Sequence, residues 1–132
     1  MHSTANKFSR DISAFFDAIF KEDKLATSYI ELILIVEEYE SVSQKLIATK
    51  MNLAPSTITR FINKLEKMGY LSKKMDGRLA RISLTKKGSD KVPLFQKKYE
   101  DAEIKLKNLL GVKYVETTTQ LLAHGSSLME QA

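Results

Sequence analysis

The chain has 132 residues, enough for one modest core, and a formal net charge of +5. It contains no cysteine, which excludes disulfides, thiol catalysis, thiol redox sensing and cysteine metal sites. No apolar run approaches the roughly 20 residues that span a bilayer, and the N-terminus lacks the apolar stretch of a signal peptide, so a soluble, cytoplasmic, single-domain protein without a membrane role is expected.

Taken in chain order, Phe8, Ile12, Phe15, Phe16 and Ile19 recur at helical spacing and predict an amphipathic helix over 7–21. The cluster Lys21-Glu22-Asp23-Lys24 is a polar break. Thr27 or Ser28 is placed to cap a second helix, with Glu31 completing a capping box. That helix runs to about Tyr39 and is apolar on most sides, which marks it as central. Ser41 to Met51 reads as a shorter helix with Ser43 as N-cap and Leu46, Ile47 and Met51 facing inward. After a tight connection, Pro55 suits the first position of a third helix. Ile58, Phe61, Ile62, Leu65 and Met68 form its core stripe, and Gly69 ends it in a left-handed conformation. The period then changes to two over Leu71–Met75 and Leu79–Leu84, with a hairpin turn at Asp76-Gly77. Beyond Gly88, Val92, Phe95, Tyr99, Ala102, Leu106 and Leu109 follow a heptad-like seam. Pro93 predicts a late start or a kink near Val92. Gly111 ends this helix. A weaker last helix follows, with Thr117-Thr118-Thr119 poor helix formers and Gly125 expected to interrupt it.

Charge is concentrated where the pattern is most distinctive. From Ser41 to Gly88 eleven basic residues stand against two acidic ones, Glu66 and Asp76, whereas residues 1–40 carry four basic and eight acidic residues. A one-signed segment of this kind is the footprint of a polyanion partner. Two short helices joined by a tight turn, the second basic on its outer face, form a helix-turn-helix pattern, and the basic hairpin after it is a wing. The fold expected is mainly α with a small β-hairpin wing: a winged helix-turn-helix lobe over 26–88, with N- and C-terminal helices over 7–21 and 89–132.

The candidate DNA-binding residues follow from chemistry. Ser56 and Thr57 sit at a helix N-terminus, where hydroxyls and free N–H groups bind phosphate. Thr59 shares their face. Arg60 can grip guanine bidentately, and Asn63 can pair with adenine. Lys64 supplies a point charge for phosphate. On the hairpin, Lys73, Lys74 and Arg81 add charge, and Arg78 projects from the turn, where a narrow minor groove attracts arginine. Asp76 is placed to accept hydrogen bonds from the turn or from Arg78 and so to fix the tip.

The run Asp76-Gly77-Arg78-Leu79-Ala80-Arg81-Ile82-Ser83-Leu84-Thr85-Lys86-Lys87-Gly88 resembles the wing signature of the MarR family of winged-helix regulators. Pro55–Arg60 with Leu65–Leu71 resembles that family's recognition helix and its exit, and Ser43–Ala48 the helix before. The resemblance implies a homodimeric transcription regulator, usually a repressor, whose terminal helices interlock. Two winged lobes then meet a pseudo-palindromic operator in double-stranded DNA. It also implies Ser56, Thr57, Thr59 and Arg60 in the major groove, Arg78 in the minor groove and Asp76 supporting it. The chain departs from the family pattern at Ala54, where a polar cap is usual, so that Ser56 is left to cap. The C-terminal helix is short for the family. Many relatives are released from DNA by small aromatic acids, for which Phe15, Phe16, Phe20 and Tyr39 are the candidate lining, against the simpler reading that they are core. His2 and His124 are isolated, so no metal site and no cofactor is expected, and no catalytic constellation is present. The alternative function is a winged-helix protein-interaction module without a DNA role, which would favour a neutral or apolar recognition helix and wing.

Overall fold

The computed structural model describes residues 1–132. Six helices and a small sheet follow one another as α1 (His2–Ile19), a 3-10 turn (Lys21–Asp23), α2 (Thr27–Glu38), β1 (Val42–Ser43), α3 (Gln44–Met51), α4 (Pro55–Lys67), β2 (Leu71–Asp76), β3 (Leu79–Leu84), α5 (Lys86–Leu110) and α6 (Val112–Glu130). The chain divides into two compact units, Met1–Lys98 and Tyr99–Ala132.

In the first unit the core is built by the central helix and the sheet. Ile30, Leu32, Ile33 and Val36 of α2 are buried with Ile47 of α3, Ile58, Ile62 and Leu65 of α4, and Val42 and Ile82 of the sheet. Phe20 and Phe95 are fully buried and meet edge to face at 6.3 Å, and Phe95 meets Tyr70 the same way at 6.2 Å. This aromatic chain ties the end of α1 and the first half of α5 to the entry of β2. The sheet is antiparallel in the order β1-β3-β2. Strand β1, which lay hidden in the sequence, is only two residues long and pairs Val42 with Ile82 and Ser43 with Arg81.

Several expectations are corrected. The capping box at Thr27 or Ser28 does not form. Ala26 occupies the N-cap position without a side-chain hydrogen bond. Asp17 reaches over from α1 instead, accepting from the Thr27 N–H at 2.8 Å and the Thr27 hydroxyl at 2.7 Å. A carboxylate at a helix N-terminus meets both the orphan donors and the positive end of the dipole, so a tertiary cap displaces the local one. The polar break at 21–24 is an anchor. Lys98 on α5 donates to Glu22 at 2.6 Å and to Asp23 at 2.7 Å. Leu46, expected inward, is exposed, because α3 spans only eight residues and buries chiefly Ile47 and Ala48.

Helix α5 starts early rather than late and runs unbroken through Pro93. Its start is fixed by the stretch that carries the Leu-Thr-x-x-Gly signature. The Thr85 hydroxyl donates to the Gly69 carbonyl and accepts from the Gly88 N–H, and the Thr85 N–H donates to the Tyr70 carbonyl at 3.1 Å. Lys87 adds a hydrogen bond to the Met68 carbonyl at 2.8 Å and lies over the Tyr70 ring. A Cβ on Gly88 would stand 2.2 Å from the Tyr70 carbonyl oxygen. Gly88 is thus required by close approach, and the beginning of α5 is bolted to the end of α4.

In the second unit, Gly111 (φ +97°) separates α5 from α6. Gly125 does not interrupt α6, since its neighbours Leu121, Leu122, Ala123, Leu128 and Met129 are good helix formers that absorb the roughly 1 kcal/mol a single glycine costs. Thr119 turns its hydroxyl back to the Val115 carbonyl at 2.7 Å. Ala102 and Leu106 are buried, but no residue of α6 is.

Candidate nucleic-acid interface

The helix-turn-helix is α3, the link Asn52–Ala54, and α4. Ser43 caps α3, its hydroxyl accepting from the Leu46 N–H at 3.1 Å, and Asn52 ends it in a left-handed turn at φ +52°. Pro55 takes the first position of α4, as its missing N–H allows. No side chain caps α4, so Ser56 does not replace the missing polar residue at Ala54. The Ala54 carbonyl accepts from the N–H groups of both Thr57 and Ile58. That leaves the Ser56 N–H as the free backbone donor of the first turn, fewer than an open helix end would offer.

Helix α4 buries Ile58, Ile62 and Leu65 completely and turns Ser56, Arg60, Asn63 and Lys64 outward, with Thr57 and Thr59 half-buried. Ser56, Thr59, Arg60 and Asn63 lie three and four apart and share one face. Two contacts on this helix are absent from any sequence pattern. Lys64 lies over the Tyr29 ring at 4.7 Å, and Tyr29 stacks on Phe61 at 4.2 Å, so the lysine is steered by an aromatic pair rather than floating free. Gln44, the first residue of α3, donates its side-chain amide to the Thr59 hydroxyl.

Helix α4 ends at Gly69 (φ +84°), whose N–H reaches the Glu66 carbonyl while that of Tyr70 reaches Leu65. The hairpin follows at once. Asp76 pairs with Leu79, leaving Gly77 and Arg78 as a two-residue loop with positive φ at Gly77 alone (+65°). Arg78 is fully at the tip and exposed, as is Asp76, and the two make no ion pair. The hydrogen bonds expected of Asp76 do not form, since water competes and ordering two exposed side chains gains little.

Register separates the three strand cations. Lys73 pairs with buried Ile82 and is half-buried on the inward face. Lys74 pairs with Arg81, which in turn neighbours Ser43 of β1, so both cations stand together on the outward face. Like charges directly opposite across a ladder are unfavourable, and no carboxylate offsets this pair.

The MarR family model matches residues 28–77. The matched segment lies inside the winged lobe, which is similar to that family. An uncharacterized HTH-type transcriptional regulator of Bacillus cereus is 28% identical over 82 residues, which cover 62% of this chain and 56% of that protein. The match thus spans about half the length of the curated relatives. Among solved structures, the transcriptional repressor CouR bound to a 23-mer DNA duplex superposes with a TM-score of 0.86 at 18% identity, covering 96% of this chain and 92% of that one. NadR in complex with 4-hydroxyphenylacetate gives 0.80 at 15% identity, covering 98% and 96%. At such identities the likeness establishes the MarR fold. No helix is long and apolar enough to cross a membrane.

Proposed function

We propose that the chain is a sequence-specific DNA-binding transcriptional repressor acting as a homodimer on a pseudo-palindromic operator. In this reading Ser56, Thr57, Thr59, Arg60 and Asn63 of α4 meet the major groove, Lys64, Lys73, Lys74 and Arg81 the phosphates, and Arg78 the flanking minor groove, with Asp76 beside it at the exposed tip. The observation that carries the reading is charge without partners. Arg60, Lys67, Lys74, Arg78 and Arg81 are exposed, and none has a carboxylate partner. An electrostatic face left unpaired beside a helix of major-groove size is suited to a duplex.

The test is fluorescence anisotropy with duplexes selected from a randomised pool, comparing the wild type with Arg60→Ala and Arg78→Ala. Each substitution is expected to cost about 1–3 kcal/mol, and affinity is expected to fall steeply with salt. Loss below about 1 kcal/mol in both variants, or a flat salt response, overturns the reading.

Dimerisation through residues 7–21 and 89–132 is part of the proposal. Leu121, Leu122, Leu128 and Met129 of α6 are 54–79% exposed, as are Ile104 and Leu109 at 57% and 69%. Apolar surface on this scale marks an association face. A monomer in sedimentation at micromolar concentration would overturn it. Two lobes one DNA turn apart, roughly 34 Å, would then set the half-site spacing. Release by a small aromatic acid completes the proposal. The half-exposed Phe15 and Tyr39 remain available to it, whereas Phe16 and Phe20 are buried core. Titration with 4-hydroxyphenylacetate, the ligand of the NadR structure, tests it through release of a bound duplex, and unchanged binding argues against it.

A further inference from the structure

We propose that Thr59 reads a thymine by its γ-methyl group, not by its hydroxyl, because Gln44 and the Pro55 carbonyl hold that hydroxyl on both sides. The inference rests on the DNA-binding reading above and deepens it at one position.

A threonine hydroxyl has a single proton to donate. Thr59 Oγ1 lies 3.0 Å from the Pro55 carbonyl oxygen, which can only accept. The proton therefore belongs to that bond, and the amide of Gln44 must turn an N–H toward Oγ1, as it does. With its proton spent and Gln44 on the oxygen, the hydroxyl has no donor left for a base edge. Thr59 is nevertheless half-exposed, on the face of α4 shared by Ser56, Arg60 and Asn63. Oγ1 keeps one lone pair but no proton, so the side-chain group we assign to the groove is Cγ2. Apolar contact in the major groove has one natural target, the C5 methyl of thymine. Gln44 becomes the polar partner in the exchange. One of its amide hydrogens is committed to Thr59, while its second hydrogen and its carbonyl oxygen have no protein partner. They sit at the start of α3, beside the recognition helix, where they can meet the backbone of the same strand. Gln44 is thus a positioning residue for Thr59.

The experiment removes one methyl at a time from either side. A duplex selected by the full-length chain is resynthesised with single thymines replaced by deoxyuridine, which lacks the C5 methyl. For the wild type, one substitution in a single half-site is expected to weaken binding about fourfold, the worth of burying one methyl group, and one in each half-site about fifteenfold. Thr59→Ser keeps the hydroxyl and loses the methyl. Because both subunits carry the change, it is expected to bind the thymine duplex about fifteenfold more weakly and to be indifferent to uracil at that position. Thr59→Val keeps a methyl and loses the hydroxyl, and is expected to retain the discrimination. The inference is overturned if no uracil substitution weakens the wild type, if Thr59→Ser discriminates as the wild type does, or if Thr59→Val loses discrimination. A chain that selects no duplex at all overturns the DNA-binding reading itself, and this one with it. Selection of duplexes without any effect of thymine methyls overturns this inference alone.

Discussion

The same substitution, glycine to alanine, is expected to act in opposite directions at Gly88 and Gly125. At Gly88 an ideal Cβ would lie 2.2 Å from the Tyr70 carbonyl oxygen, 3.1 Å from its carbon and 3.2 Å from Leu84 Cδ2. An ordinary C···O contact is about 3.3 Å, so the start of α5 must move away by roughly an ångström. That movement strains the hydrogen bonds from the Thr85 N–H to Tyr70 and from the Gly88 N–H to the Thr85 hydroxyl, both 3.1 Å. Losing two such bonds costs about 2 kcal/mol and crowding about 2 more, against a gain of about 1 in helix propensity, so Gly88→Ala is expected to destabilise by roughly 3 kcal/mol. That corresponds to about 10 °C in melting temperature for a chain of this size. Gly125 lies inside α6 with no atom within 4 Å of its ideal Cβ. Gly125→Ala is expected to stabilise by about 0.5–1 kcal/mol. Urea unfolding followed by circular dichroism, at one fixed protein concentration, measures both. A Gly88→Ala variant within about 0.5 kcal/mol of the wild type would refute the close-approach argument.

Other expectations follow from single contacts. Asp17→Ala removes the tertiary cap of α2 and should cost about 1–2 kcal/mol, with Asp17→Asn recovering part of it because its carbonyl still accepts; equal losses in the two variants by urea unfolding would contradict the capping role. Gly77→Ala places a side chain at φ +65° in open space, so backbone strain alone is expected, about 1 kcal/mol, and Gly77→Asn should be close to neutral. Hydrogen bonding to Lys98 holds the Glu22 carboxyl below its ordinary 4.5, and hydrogen bonding to Asp23 and Glu22 holds the Lys98 ammonium above its ordinary 10.5. The carboxylate's share of stability is present above pH 4.5 and lost as pH falls through its lowered value. The ammonium's share is full below pH 10.5 and lost as pH rises through its raised value. Lys98→Met should therefore be less stable than the wild type between those limits, with the gap narrowing outside them, which stability measured across pH will decide.

What the sequence conveyed depended on how local the cause was. Helix α4 was legible because Pro55, the Ile58–Ile62–Leu65 stripe and Gly69 each act within a turn of themselves. The hairpin was legible because Gly77 carries its own conformational demand. The early start of α5 was not, since Thr85, Lys87 and Gly88 answer to carbonyls of Met68, Gly69 and Tyr70 some 15 to 19 residues away. Asp17 looked like one more polar residue on an amphipathic helix, because its partner, Thr27, comes from the next element. The same distance hid Gln44, which gains meaning only when α3 is folded against Thr59. Strand β1 was too short for an alternating pattern to exist.

The facing pair Lys74 and Arg81 gives dissolved salt two opposed effects. Around the isolated chain, small anions gather at the pair and quiet its repulsion, so amide hydrogen exchange in β2 and β3 slows as ionic strength rises. In the complex with a duplex proposed above, those same anions would compete for the cations and loosen the grip. The hairpin is then expected to open most readily in dilute buffer without a partner, the condition in which the proposed binding would also be quickest. Its local discomfort when alone and its readiness to bind have a single origin.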